Sequence, residues 1–89
     1  MITLEQACEL ALKSFKEYHY ENPGIKIIKE IDKRWIIDSY NKDDPDGVYF
    51  GPVPVIIDME TGELQSYIIH HNFKEYRKAK KIKIPKAYR

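Results

Sequence analysis

Between Thr3 and Tyr20 the apolar side chains Leu4, Ala7, Cys8, Ala11, Phe15 and Tyr18 recur at three- and four-residue steps. That spacing predicts one apolar stripe along an α-helix. Thr3 and Gln6 stand at capping-box distance at its start, where each side chain can satisfy the other's free backbone donor. Ile2 and Ala7 flank this cap as a weak hydrophobic staple. Asn22-Pro23-Gly24 predicts the stop, because Pro cannot continue a helix and Gly tolerates the reversal.

Past the stop the periodicity changes. Ile25–Ile31 and Arg34–Tyr40 are rich in β-branched and aromatic residues, with only Asp32 and Lys33 between them, which predicts a hairpin. Asn41–Gly47 is a polar loop. Pro52 and Pro54 cannot donate to a ladder, so their segment is expected at an edge or outside the sheet. Val55–Asp58 and Glu63–Ile69 read as the arms of a second hairpin. In its turn Asp58 can accept from backbone N–H groups, and Gly62 can supply a positive φ.

Asn72 and Glu75 match a second N-cap pattern, which predicts a short helix with Phe73 and Tyr76 inward, stopped at the latest by Pro85. The alternation of Ile and Lys in "KIKIPKAYR" also admits an edge strand. Of the two, a helix to about Lys80 followed by an extended tail is expected. The expected fold is a single α+β domain over residues 1–76 with a basic extension over 77–89. Its N-terminal helix crosses one face of an antiparallel sheet of about four strands, with Trp35 beneath it.

Composition adds limits. At 89 residues the chain is one domain with a thin core. It is 43% apolar and 33% charged, an ordinary folded composition. No apolar run approaches the ~18–20 residues that cross a bilayer. "MITLEQACELALKSF" lacks a basic n-region and carries Glu5 and Glu9, so it does not read as a secretory signal. Cys8 is the lone cysteine, and a reduced, cytoplasmic setting is expected.

Charge is unevenly distributed. From Phe73 to Arg89 there are eight Lys/Arg against one acid, Glu75. The preceding 72 residues hold seven basic and thirteen acidic side chains, so the body is near −6 and the tail near +7.

Candidate chemistry is sparse. His70 and His71, as neighbours on a strand, would point to opposite faces and cannot easily chelate one ion. Cys8 lies on the apolar stripe, where a buried thiol is inert packing. Asp43, Asp44 and Asp46 precede Gly47, but aligning that Gly with the invariant glycine of an EF-hand puts Lys42 and Val53 at ligand positions. No nucleophile motif or phosphate-binding glycine loop is present. The expectation is a non-enzymatic protein without cofactor or metal.

The order of these features resembles small bacterial PepSY-like domains, and more closely the YrhB-like immunity proteins of bacterial polymorphic toxin systems. The resemblance rests on the "TLEQACELAL" helix, Trp35 followed by aliphatics, a variable loop, the D-x-x-T-G-E turn (Asp58, Thr61, Gly62, Glu63) and "FKEY" at Phe73–Tyr76. It covers about Thr3 to Tyr76 and departs in the basic end and the "GPVP" segment. It implies a small α+β domain that binds and neutralises a cognate toxin with no chemistry of its own.

From the residues themselves, Asp43, Asp44 and Asp46 with Tyr49 and Phe50 form the expected partner-binding set, since acids steer encounter and aromatics anchor interfaces. Tyr49 and Phe50 could equally cover the open end of the core. The rival reading is nucleic-acid binding through Arg77, Lys78, Lys80 and Lys81, with interleaved tyrosines. A third is a PepSY-like inhibitory or chaperone-like module. Monomer and homodimer both remain open, because a free sheet edge could pair two copies.

Overall fold

A turn with no glycine in it sets the first hairpin. Asp32 and Lys33 both adopt positive φ, 49° and 60°, and join β1 (Pro23–Ile31) to β2 (Arg34–Asn41). Two consecutive left-handed residues match the right-handed twist of the flanking strands. The computed structural model describes residues 1–45 and 53–89. Asp46, Tyr49 and Phe50 therefore lie outside the described residues.

Helix α1 (Leu4–Tyr18) starts at the predicted capping box: Gln6 N donates to Thr3 Oγ1 at 3.1 Å and Thr3 N to Gln6 Oε1 at 2.8 Å. It stops four residues before Pro23-Gly24 rather than at it, with Phe15 O accepting from His19 N and Tyr20 N. Pro23 and Gly24 instead open β1. A Cβ on Gly24 would sit 2.6 Å from the Tyr40 ring, so a close side-chain approach, and not a helix reversal, requires this glycine. Tyr18, expected on the buried stripe, is 71% exposed.

The hydrogen-bonded strands run β4-β3-β2-β1-β5, with β3 at Val55–Asp58, β4 at Leu64–Ser66 and β5 at Lys80–Ile82, all antiparallel. Beneath α1, Ala7, Cys8, Ala11 and Phe15 meet Ile25, Ile28, Trp35, Ile37, Val55 and Ile57. Full burial of an Ile or Phe stabilises by about 1.5–3 kcal/mol. Register explains how Ile25 and Ile28 reach the same face. Ile25 pairs with Ser39 and Ile27 with Asp38, so Lys26 is an extra residue that restores the parity.

Two covers lie on the sheet where the sequence predicts one. Ile36, the neighbour of Ile37 on β2, is buried on the opposite face with Ile56, Tyr67 and Ala79. A 3₁₀ turn (Ile69–Asn72) and helix α2 (Phe73–Lys78) bring the cover to that face. The second arm of the β3–β4 hairpin is consequently three residues long, since Tyr67 and Ile69 turn away to pack there. α2 ends at Lys78, and the chain then adds β5 to the free edge of β1. Tyr88 comes to rest on α1, its hydroxyl 3.2 Å from Glu9 Oε1.

The β3–β4 turn is built as its sequence predicts. Asp58 Oδ1 accepts from Glu60 N (2.8 Å) and Thr61 N (3.0 Å), and Gly62 takes φ 76°. The N–H groups of Thr61 and then Glu60 hold the Asp58 carboxyl below its ordinary range.

Lys33 at φ 60° carries the strain of a side chain in the left-handed region. Lys33→Gly is expected to raise stability by on the order of 0.5–1 kcal/mol after the entropy of the freer unfolded chain is counted. Urea unfolding at neutral pH measures it; a loss of stability would show that the exposed Lys33–Glu60 pair at 3.8 Å outweighs the turn strain.

Candidate functional site

The α1 C-terminal end of the molecule gathers an acidic turn, an apolar groove and a strand edge with no neighbouring strand among the described residues. Asp43 and Asp44 are exposed in the turn after β2, where Asp43 N donates to Asn41 Oδ1 and Asp44 N to Asn41 O, each at 3.1 Å. Lys42 N donates to Asn22 O at 3.0 Å, and Asn22 Nδ2 reaches Asp43 Oδ1 at 3.5 Å. These bonds tie the acidic turn to the chain leaving α1. A groove of about 430 Å³ starts one turn earlier on that helix, lined by Phe15, Tyr18, His19, Val53, Leu64 and Ser66 among others.

One wall of this groove is the edge strand β4. Asp58 N donates to Glu63 O and Tyr67 N to Pro54 O, so odd-numbered residues of this arm bond inward. By the antiparallel alternation, Leu64 and Ser66 turn their N–H and C=O groups outward. The residues of β4 carry no charge. The opposite edge, β5, begins with Lys80 and Lys81 and is followed by Lys83, the usual protection of a strand edge. The two edges of the sheet are thus chemically unlike.

The second cover is held by polar groups, an arrangement the sequence did not betray. Glu75 accepts from Arg34 Nη2 through Oε2 (3.0 Å) and from Tyr67 Oη through Oε1 (3.1 Å). Lys29 Nζ donates to Tyr76 O at 3.1 Å and lies 3.9 Å from the Tyr76 ring centroid. Burial, then Glu75, pushes the Tyr67 phenol up to about 12. Asp38, half-buried on the same face, is raised by desolvation. Asn72 occupies the expected N-cap of α2 but makes no capping bond; its Nδ2 donates to Ile68 O at 2.9 Å. Phe73, expected inward, is 55% exposed, because Glu75 and Tyr76 take the inner face.

Arg77 and Lys78 on α2 and Lys80 and Lys81 on β5 are all exposed. The structure does not bring them to the acidic turn. His70 and His71 lie in the 3₁₀ turn rather than at a strand end. Among the described residues, no three His, Cys, Asp or Glu side chains are grouped as a metal site would need. Burial, then Glu5 and Glu9, pushes the Cys8 thiol up to about 11, the condition of a packed, unreactive cysteine. No helix is long and apolar enough to cross a membrane among the described residues.

No protein-family model, curated protein or solved structure matches this chain.

The Tyr67 phenol gives the polar cluster a pH signature. It ionises near 10 when unfolded and near 12 when folded, so the stability it contributes is present below pH 10 and lost as pH rises to 12. Tyr67→Phe is expected to be about 1 kcal/mol less stable at neutral pH, from the lost bond to Glu75. That gap should close between pH 10 and 12 in urea titrations. A gap that stays constant would remove Tyr67 from the alkaline response.

Proposed function

We propose that this protein is a stoichiometric protein-binding module without catalytic chemistry, and specifically an immunity protein that neutralises a bacterial toxin. The observation that carries the binding role is the juxtaposition at the end of α1. An uncharged strand edge and an apolar groove adjoin a turn that displays Asp43 and Asp44. Apolar area rimmed by charge, beside backbone donors and acceptors that face away from β3, is what a polypeptide partner needs. The toxin assignment comes from the likeness of the helix, Trp35 strand and D-x-x-T-G-E turn to the YrhB-like immunity proteins. The α+β architecture is the one that likeness implies.

In this reading inhibition is steric. The exposed acids accelerate encounter with a basic partner surface, while burial in the groove slows release. Occlusion of the toxin's active site, or of a surface beside it, then follows from occupancy alone.

Affinity capture from the native host's lysate is expected to retain one polypeptide at 1:1 stoichiometry through a high-salt wash. Asp43→Asn with Asp44→Asn should lower the association rate and its salt dependence. Ser66→Pro removes an outward N–H without breaking a bond to β3, so it should weaken binding while leaving the fold intact. Kinetics unchanged in both variants would discard this surface. Recovery of only a weak, salt-labile mixture of polypeptides would overturn the immunity reading.

A further inference from the structure

The basic end of the chain is neither a free tail nor an arm neutralised by the body's acids. Lys74, Arg77, Lys78, Lys80, Lys81, Lys83, Lys86 and Arg89 are all exposed, and none forms an ion pair among the described residues. The one acid of the segment, Glu75, faces inward to Arg34. The fold therefore sorts the charges of α2, carboxylate toward the sheet and cations toward solvent. Lys74, Arg77 and Lys78 line a shallow depression of about 360 Å³. Lys81 pairs with Lys29, whose Nζ lies at Tyr76, so it shares the face that α2 covers.

In the midst of these cations Phe73 is 55% exposed, with the Arg77 guanidinium carbon 5.6 Å from its ring centroid. Asp43 and Asp44 do not oppose this patch. They follow the far end of β2, seven residues from Arg34, or roughly 23 Å along the strand, well beyond the screening length of about 8 Å at physiological salt.

We propose that the outer surface of α2 and β5 is a docking site for single-stranded nucleic acid, a role beyond toxin binding. Lys74, Lys78, Lys81 and Arg77 meet phosphates, and Phe73 with its adjacent guanidinium gives a base a face to stack on. Stacking needs an unpaired base, which selects single strands over duplex. A lipid surface fits less well. α2 is six residues long and turns Tyr76 to the sheet, so no amphipathic face is left to insert.

The test is fluorescence anisotropy with a labelled, mixed-sequence single-stranded oligonucleotide across a salt series. The full chain is expected to bind with a steep inverse dependence on salt. The triple variant Lys74→Gln, Arg77→Gln, Lys78→Gln should reduce the log–log slope by about 2, at roughly 0.7 per lost phosphate contact. Phe73→Ser should weaken binding about tenfold with the slope unchanged. Lys13→Gln with Lys16→Gln on α1 should do neither. Absence of binding at about 50 mM salt overturns the proposal. So does equal binding of inorganic polyphosphate with no effect of Phe73→Ser, which would mark a general polyanion surface. Capture by phosphatidylserine vesicles without oligonucleotide binding would assign the patch to membranes instead.

Discussion

Burial of β2 on both faces is the constraint from which the other features follow. Ile36 and Ile37 are adjacent, both fully buried, and point to opposite sides of the sheet. α1 covers one of them. The other needs a second cover, and the chain supplies it with a six-residue helix far too short to be stable by itself. Apolar contact on that side is limited, so polar groups complete the attachment. Arg34, Tyr67 and Glu75 form a bonded set of partly buried side chains, and Lys29 clamps the Tyr76 carbonyl and ring. Leaving any of these groups unpaired at the interface would cost more than the bond itself contributes.

What could be read from the sequence was local. The capping box at Thr3 and Gln6, the Asp32-Lys33 connection and the Asp58–Gly62 turn depend on neighbours within four residues; the first and last follow from side-chain chemistry, and the second from the two-residue spacing of its strands in spite of the strain at Lys33. The groups that fasten the second cover come from 41 and 47 residues apart, as in Arg34–Glu75 and Lys29–Tyr76. No periodicity reports such a pairing. Phe73 illustrates the resulting error: hydrophobicity points it inward, but once Glu75 must face Arg34 the helix is rotated, and Phe73 is left outside. Of the expected partner-binding residues, Asp43 and Asp44 were legible as an exposed turn, whereas the groove beside them is assembled from α1, β3 and β4 and exists only in the folded chain.

The two proposed surfaces have a common origin in the asymmetry of the sheet. One edge is neutral and lies beside the acidic turn; the other is lined with lysine and continues into the cationic face of α2. A near-neutral formal charge of +1 therefore hides a strongly polarised molecule. Such a polarity orients an approaching partner before contact, because oppositely charged ends of one small body steer it differently. It also disfavours lateral pairing of copies through β5, whose outward backbone lies at Lys81.

The pairing of β5 with β1 has a consequence for synthesis. β1 is made before β2, and the strand that closes its outer edge follows only after β3, β4 and α2 have been translated. While the ribosome still holds β5, a nascent chain that has already formed its first hairpin displays an unpaired, isoleucine-rich border. Chaperone engagement, or slow decoding before Lys80, would act on this window. The lysines that later seal the edge arrive only when the window closes.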